Sequence, residues 1–392
     1  MEPTQATAAV AISEHFATIA DVDEAIRANA AIERIQSQGI PEYIAPRRLT
    51  AFEKPFFERS LELRQLIFMK HFYSESDAVT QIFQREHERN RIAAKSEKVP
   101  RKYLDSFRKT FRDLNDECNN AFGYKVRWFL DLGCAPGGFA TWLLRNNKKA
   151  RGTGITLSSG SGGLQFQLDA KLRERFWVYF DDVCRFAMGQ AILGTPGRGF
   201  DLVLANASIM LGGDVVPWNQ SVRLTHAQLL MAVQHLAPNG TLVMSLKARP
   251  LHWIVDIVEV LRDLFTSVVA VKPQSQARRS FVYMVCRGFR ADVGSKGRYI
   301  LRLRECLEYL NNITGPIDAP SGGTENIPRL HGVEGEALAD ESYQYVIGLF
   351  RNAWIRQYSA IRLHYESALQ PSKPVDPELD SSTSEDVAAG SQ

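Results

Sequence analysis

The stretch VRWFLDLGCAPGGFATWLLRN, residues 126–146, decides how this chain is read. An apolar run with Trp128 and Phe129 turns through Gly133, Gly137 and Gly138, with Pro136 among them, and continues into helix-forming residues. A β-forming run, a glycine-rich turn and a helix make the first half of a βαβ unit. Glycine at such a turn lets backbone approach a ligand closely, and the helix that follows begins with unpaired N–H groups. A nucleotide-like ligand at the carboxyl end of this first strand is therefore expected. The glycine spacing differs from GxGxxG, so the common dinucleotide fingerprint is not what carries this expectation.

Working toward the carboxyl terminus, six more short runs of β-branched and aromatic residues follow. They are RGTGITL (151–157), FWVYFDD (176–182), FDLVLANA (200–207), GTLVMSLK (240–247), SVVAVK (267–272) and SFVYMVCRGF (280–289). Helix-compatible stretches separate several of them, which predicts an α/β fold whose strands are buried on both faces. Only PQSQARR separates the last two runs, too little for a parallel crossover, so that pair is expected antiparallel. The result is a seven-stranded, mostly parallel sheet with one antiparallel strand.

Working toward the amino terminus, residues up to about 122 carry helical patterns, with Ile19, Val22, Ile26 and Ala30 on one stripe and Leu61, Leu63, Leu66, Ile67 and Phe72 on a rougher one. Residues 85–112 hold ten Lys or Arg against four acids and predict a cationic surface. After residue 290 come two more helical patterns and then, from 371, a tail with one Lys against five acids. The division expected is a helical extension over 1–122, the α/β domain over 123–290, a second helical extension over 291–370 and a disordered acidic tail over 371–392.

Composition excludes other classes. In 392 residues, 45% hydrophobic and 23% charged content rules out wholesale disorder and fibrous sequence. The net charge of +3 is too small to diagnose a nucleic-acid partner. Five cysteines without a CxxC pair suggest neither a disulfide framework nor a zinc site. No apolar run reaches the length of a membrane span, and the amino terminus lacks a secretory pattern. A soluble, intracellular protein without a metal is expected.

DLGCAPGGFATWLL resembles the first motif of the FtsJ-like RNA methyltransferases, enzymes with a Rossmann-like methyltransferase fold that use S-adenosyl-L-methionine to methylate ribose 2′-hydroxyls. FDLVLANAS, APNGTLVMSLK and KPQSQARRSFVYMVCRGF resemble the family's later landmarks in the same order. The resemblance implies that Asp131, Gly133, Ala135, Pro136, Gly137 and Gly138 line the methionine part of the cofactor. It implies that Asp182, or its neighbour Asp181, meets the adenine amino group, and that Thr156 and Leu157 stand where the family usually has an acid near the ribose. RNA is the implied partner, and the helical flanks offer surfaces for a protein partner.

The family's catalytic Lys–Asp–Lys–Glu tetrad is not matched. The first lysine aligns with Arg112, with Lys109 one helical turn away. The aspartate is Asn206, the central lysine falls on Ser245 with Lys247 two residues later, and the glutamate is Phe281. Methyl transfer to a hydroxyl needs a positioned cation and groups that orient it. Because strand side chains alternate, Lys247 is expected on the face of Ser245, where it replaces the missing lysine, and Asn206 accepts a hydrogen bond without supplying charge. Two readings stand: a methyltransferase acting on RNA ribose with Lys247, Asn206 and Arg112 at its catalytic edge, or a catalytically inactive relative serving as an RNA-binding or protein-interaction module. Methylation of another acceptor is a third.

Other candidates are weaker. Asp214 is more simply a turn residue, and His226, His235 and His252 fall on helices without shared ligand spacing. Trp218 and Trp253 suit stacking on a base but more commonly pack in a core. Arg278, Arg279, Lys247 and Arg249 are placed to track phosphates.

Overall fold

The computed structural model describes residues 16–44, 49–94, 99–209, 218–290, 292–313, 326–332 and 338–370. Among the described residues, six helices precede the sheet. In α1 (Ile19–Ala30) Thr18 and Asp21 form a reciprocal capping box, and Val22, Ile26 and Ala30 are buried along the expected stripe. Short helices α2 (Ile32–Gln38) and α3 (Lys54–Arg59) lead to α4 (Leu61–Glu75), where Ser60 accepts a 3.2 Å hydrogen bond from the Leu63 N–H. Helix α4 buries Leu63, Leu66, Ile67 and Phe72, whereas Leu61, at its first position, is exposed. Helices α5 (Asp77–Ala94) and α6 (Val99–Glu117) bring the chain to the sheet.

There the sequence alternates as expected: β1 (Trp128–Leu132), α7 (Gly138–Asn146), β2 (Arg151–Thr156), α8 (Ala170–Arg173), β3 (Phe176–Phe180), α9 (Val183–Ala187), β4 (Phe200–Ala205), α10 (Trp218–His235), β5 (Leu236–Lys247), α11 (His252–Leu264), β6 (Phe265–Val271) and β7 (Phe281–Phe289). The spatial order is β3-β2-β1-β4-β5-β7-β6. β1 through β5 pair in parallel, while β7 runs antiparallel to both β5 and β6. This is the mostly parallel, seven-stranded Rossmann-like sheet with one reversed strand. The order in which strands are added reverses between β1 and β4, and a ligand crevice belongs at the carboxyl ends of the strands there.

Two apolar layers cover the sheet. On one face, Phe129, Leu202, Val243 and Tyr283 meet Phe111 and Leu114 of α6 and Phe139 and Leu143 of α7. On the other, Leu130, Val203, Met244 and Val282 join α10 and α11 in a core that continues without a break into α1, α4, α12 (Val293–Asn312) and α13 (Asp340–Leu369). Burial of phenylalanines such as Phe56, Phe57 and Phe68, each worth about 1.5–3 kcal/mol, ties the amino-terminal helices to this core.

Polar contacts fasten both flanks to the strand ends near β5 and β7. Arg249, just past β5, holds Glu53 through a two-point ion pair of 2.5 and 2.7 Å, with Glu53 fully buried. From α13, the indole of Trp354 donates to the Ala248 carbonyl at 2.8 Å and Gln357 donates to the Arg278 carbonyl at 3.1 Å. Arg356 donates to the Lys272 carbonyl and meets Glu117 at 2.7 Å.

Candidate cofactor and acceptor site

The turn after β1 is shaped by its protein neighbours. Gly133 has φ +77°, and a Cβ there would lie 2.3 Å from the Cα of Ala207, so the turns after β1 and β4 are pressed together. Gly137 has φ +108°, and a Cβ there would meet the Gln167 carbonyl at 2.5 Å. At Gly138 an added Cβ would strike α6, 2.5 Å from Phe107 and 2.7 Å from the Leu104 carbonyl. These glycines let α6, the β2–α8 loop and the β4 turn close around the strand ends.

A cavity of about 340 Å³ opens there. Gly133, Ala135, Thr156, Leu157, Asp181, Asp182 and Asn206 line it, so seven of the positions singled out in the sequence converge from the ends of β1, β2, β3 and β4. A narrow crevice adjoins it, bounded by Asp131, Pro136, Gly138, Phe139 and Asn206. Gly137 supports the wall through Gln167 without lining either space.

Asp131 is the chemically unusual member of the crevice. It is 2% exposed, and among the described residues its Oδ2 has no hydrogen-bond partner. Burial pushes its pKa up to about 7. A buried carboxyl of this kind calls for a cationic partner or a proton. Asp182 serves two purposes: its Oδ1 caps α9 by accepting from the Cys184 N–H at 2.9 Å, and it borders the cavity. Asp181 also borders the cavity, accepts from the Asp182 N–H at 2.8 Å and pairs with Arg185 at 3.0 Å.

The turn after β4 is held by Gln228, which no sequence motif marks. Gln228 of α10, 2% exposed, accepts from the Ala207 N–H at 2.7 Å and donates to the Ala207 carbonyl at 3.1 Å. Arg223, one turn earlier, lines the cavity beside Asp182 and Cys184. Its Nη1 donates to Asn311 at 3.0 Å, and its Nε is buried without a partner among the described residues. No sequence signal marks Arg223 either, because it lies in an ordinary amphipathic stretch and becomes relevant only when α10 packs over the strand ends. Burial, followed by the Asp182 charge, pushes the Cys184 thiol up to about 12, so it is a neutral wall.

The expected catalytic edge lies apart. Val243 faces the α6–α7 layer, and Ser245 and Lys247 alternate onto the same side of β5. Lys247 is exposed, pairs in register with Phe281 and borders neither the cavity nor the crevice. Desolvation by the protein beneath it, and then Arg249, lower its pKa from the ordinary lysine range. Arg112 is exposed on α6 with Asp113 at 3.8 Å, and Lys109 is also exposed. Phe281 packs edge-on against Tyr283, ring centres 5.7 Å apart, where the resemblance implied a carboxylate. Lys272 donates to the carbonyls of Arg279 and Phe281, and burial lowers its pKa to about 7, helped by Lys70, Arg279 and Arg356.

Of the remaining candidates, His226 is 1% exposed, with Nδ1 2.9 Å from the Val222 carbonyl, and the 4% exposed Trp253 packs beside it, so both belong to the core. Trp218 begins α10, half-buried against the same core. His235 ends α10, its pKa lowered to about 4 by burial and then by Lys296, and His252 begins α11 beside the ring of Phe52. Arg249 is engaged by Glu53, whereas Arg278 and Arg279 are exposed. Asp214, the acidic tail and the side chains of residues 86–100 lie outside the described residues. Among the described residues no cluster of three or more His, Cys, Asp or Glu is placed to hold a metal, and no helix is long and apolar enough to cross a membrane.

Known proteins share the region that builds this site. The FtsJ-like methyltransferase family profile matches residues 107–289. The ribosomal RNA large subunit methyltransferase E of Hydrogenovibrio crunogenus is 30% identical over 182 residues, covering 45% of this chain and 81% of that protein. The cap-specific mRNA (nucleoside-2′-O-)-methyltransferase 1 of Drosophila melanogaster is 25% identical over 217 residues, 52% of this chain, and the chain spans only 26% of it. A solved ribosomal RNA methyltransferase structure from Plasmodium falciparum aligns at a TM-score of 0.34 and 16% identity, covering 45% of this chain and 93% of that one.

Proposed function

Because the chain belongs to the FtsJ-like methyltransferase family, we propose that it binds S-adenosyl-L-methionine in the cavity at the ends of β1–β4 and methylates ribose 2′-hydroxyls of RNA. The observation that carries this reading is Asp131: a buried carboxyl without a partner for Oδ2, beside a glycine-walled crevice, suits the ammonium of the cofactor's methionine portion. At the other end of the cavity Asp182 fits the adenine amino group, and Thr156 borders the space between them. Gly133, Ala135, Pro136 and Gly138 would form the walls, with Gly137 and Gln167 behind them. The bound cofactor supplies a methyl group on a positively charged sulfur.

The protein's own part is to orient an acceptor hydroxyl and stabilise the negative charge that grows on its oxygen as it loses its proton. Asn206, bordering both the cavity and the crevice, is placed to hold that hydroxyl by hydrogen bonding. Lys247 and Arg112, both exposed and bordering neither the cavity nor the crevice, are the cations proposed for the acceptor edge, Lys247 as an ammonium that reaches from the end of β5 toward Asn206 to steady the oxygen and Arg112 in the place of the family's first lysine. RNA as substrate rests on the matched relatives, two of which act on ribosomal or messenger RNA by name.

A second reading is favoured by the pairing of Lys247 with Phe281. With a phenyl ring in place of a carboxylate, the ammonium lacks the partner that would hold and tune it. In that reading the chain is a catalytically inactive relative that serves as an RNA-binding or protein-interaction module, with or without bound cofactor. Calorimetric titration with S-adenosyl-L-methionine, followed by transfer of labelled methyl to total RNA, separates the two. Transfer that falls at least tenfold in Lys247→Ala at unchanged cofactor affinity supports the enzyme; cofactor binding with no transfer supports the second reading. No binding at millimolar cofactor excludes the enzyme.

A further inference from the structure

Helix α6 divides two spaces. Phe107 faces the cofactor cavity, while Arg101, Leu104, Asp105 and Arg108, spaced three and four apart, face a separate groove of about 460 Å³ on the other side. Arg145 of α7 and Arg173 of α8 complete the basic lining, and residues 165–169 form its wall. Four guanidinium groups thus face two carboxylates. Asp105 pairs with Arg108 at 3.1 Å and Asp169 with Arg145 at 2.5 Å. Arg173 spends its Nε on the Leu168 carbonyl at 3.0 Å, and Arg101 has no partner among the described residues.

At the floor is Thr141, 3% exposed, whose Oγ1 has no hydrogen-bond partner among the described residues. A groove lined by an excess of guanidinium groups and a buried, unpartnered hydroxyl has the chemistry that suits a phosphate, since the planar fork of arginine can donate to two phosphate oxygens at once. The groove also shares a wall with the proposed cofactor site. The Gln167 N–H donates to the Pro136 carbonyl at 2.8 Å, and Gly138 lies against the backbone of Leu104 and Arg108.

We propose that this groove binds a backbone phosphate of the RNA substrate, anchoring the strand on the far side of α6 from the cofactor. The proposal rests on the reading of RNA as substrate and adds a position to it. Nothing in the resemblance assigns these arginines: Arg101 and Arg108 enter the sequence pattern only as part of a basic run, and Arg145 and Arg173 lie outside it.

The test is fluorescence anisotropy of a labelled single-stranded RNA with the full chain over a range of salt, comparing wild type with Arg101→Ala/Arg108→Ala. Both side chains face solvent or the groove, so the fold does not depend on them. Lys148→Ala/Lys149→Ala, exposed just past the end of α7 and outside the groove's lining, removes the same charge beside the groove. The groove variant is expected to bind about tenfold more weakly, with the slope of log affinity against log salt shallower by about 0.7 for each phosphate that is no longer neutralised. Arg101→Lys/Arg108→Lys should recover most of the affinity, and cofactor affinity should be unchanged. RNA binding equal in wild type and groove variant, or weakened equally in the lysine control, overturns the groove and leaves the RNA reading standing. Wild type that binds no RNA overturns both.

Discussion

The two halves of the sheet's carboxyl edge are built in opposite ways. Around β1 to β4 the strand ends stay open: three close-packed glycines bring α6 and neighbouring loops together, and a 340 Å³ cavity remains between them, with an adjoining crevice that holds the unpartnered carboxyl of Asp131. Around β5 and β7 the strand ends are closed by aromatic packing of Phe281 on Tyr283 and fastened by Arg249–Glu53, Trp354 and Gln357. Holding a cofactor requires backbone shape, and the glycine turns and cavity of that half are what the proposed cofactor site is built from. Activating an acceptor requires a few charges at set positions, and in the other half packing and clamps occupy the strand ends, with Phe281 where the resemblance implies a carboxylate.

If the clamps belong to the stability of the β5–β7 half alone, breaking them should leave cofactor binding intact. Glu53→Ala is expected to cost about 3 kcal/mol, at the low end for removing one partner of a buried ion pair because Arg249 retains some solvent. Urea denaturation checks this, with cofactor affinity of the folded fraction within about twofold of wild type. The reverse holds at the other half. Gly133→Ala places a methyl against Ala207 at a positive φ and should cost about 1–3 kcal/mol while weakening cofactor binding, as calorimetry would show. Lys247→Ala has the smallest expected effect on stability, within about 0.5 kcal/mol for an exposed side chain, and none on cofactor affinity. A large destabilisation there would mean that Lys247 supports the strand end and would break the division between the halves.

Sequence legibility follows the same line. The strands, their order of appearance, the reversed β7 and the glycine turn are readable, because period, β-branching and glycine placement are local. The convergence of Thr156, Asp182 and Asn206 is readable once the strands are parallel, since parallel strands place successive carboxyl ends side by side. Gln228 and Arg223 are not, because their roles depend on how α10 lies over the sheet. Arg249 reads as a phosphate contact, but Glu53, 196 residues earlier, claims it, and no local pattern encodes an ion pair at that separation. Leu61 falls on a buried stripe by spacing alone; its place at the first turn of α4 leaves it outside.

The central claim, that the Asp131 crevice is the ammonium end of a cofactor site, makes a paired prediction with opposite signs. Without ligand, a carboxyl whose pKa is raised from about 3.9 to about 7 is protonated in the folded state while ionised in the unfolded state. Its contribution to stability is therefore full below about pH 4 and lost as pH rises through about 7. Asp131→Asn, which cannot ionise, should raise the melting temperature of the ligand-free protein at about pH 8 and leave it unchanged near about pH 4. Cofactor binding should move the other way, because an ammonium favours the ionised carboxylate. The most direct measurement is calorimetric titration of wild type and Asp131→Asn with S-adenosyl-L-methionine between about pH 6 and about pH 7.5. Wild-type affinity should rise with pH across this range, and the variant should bind at least about tenfold more weakly at the upper end with a flat profile. Equal affinities and equal pH profiles would contradict the assignment.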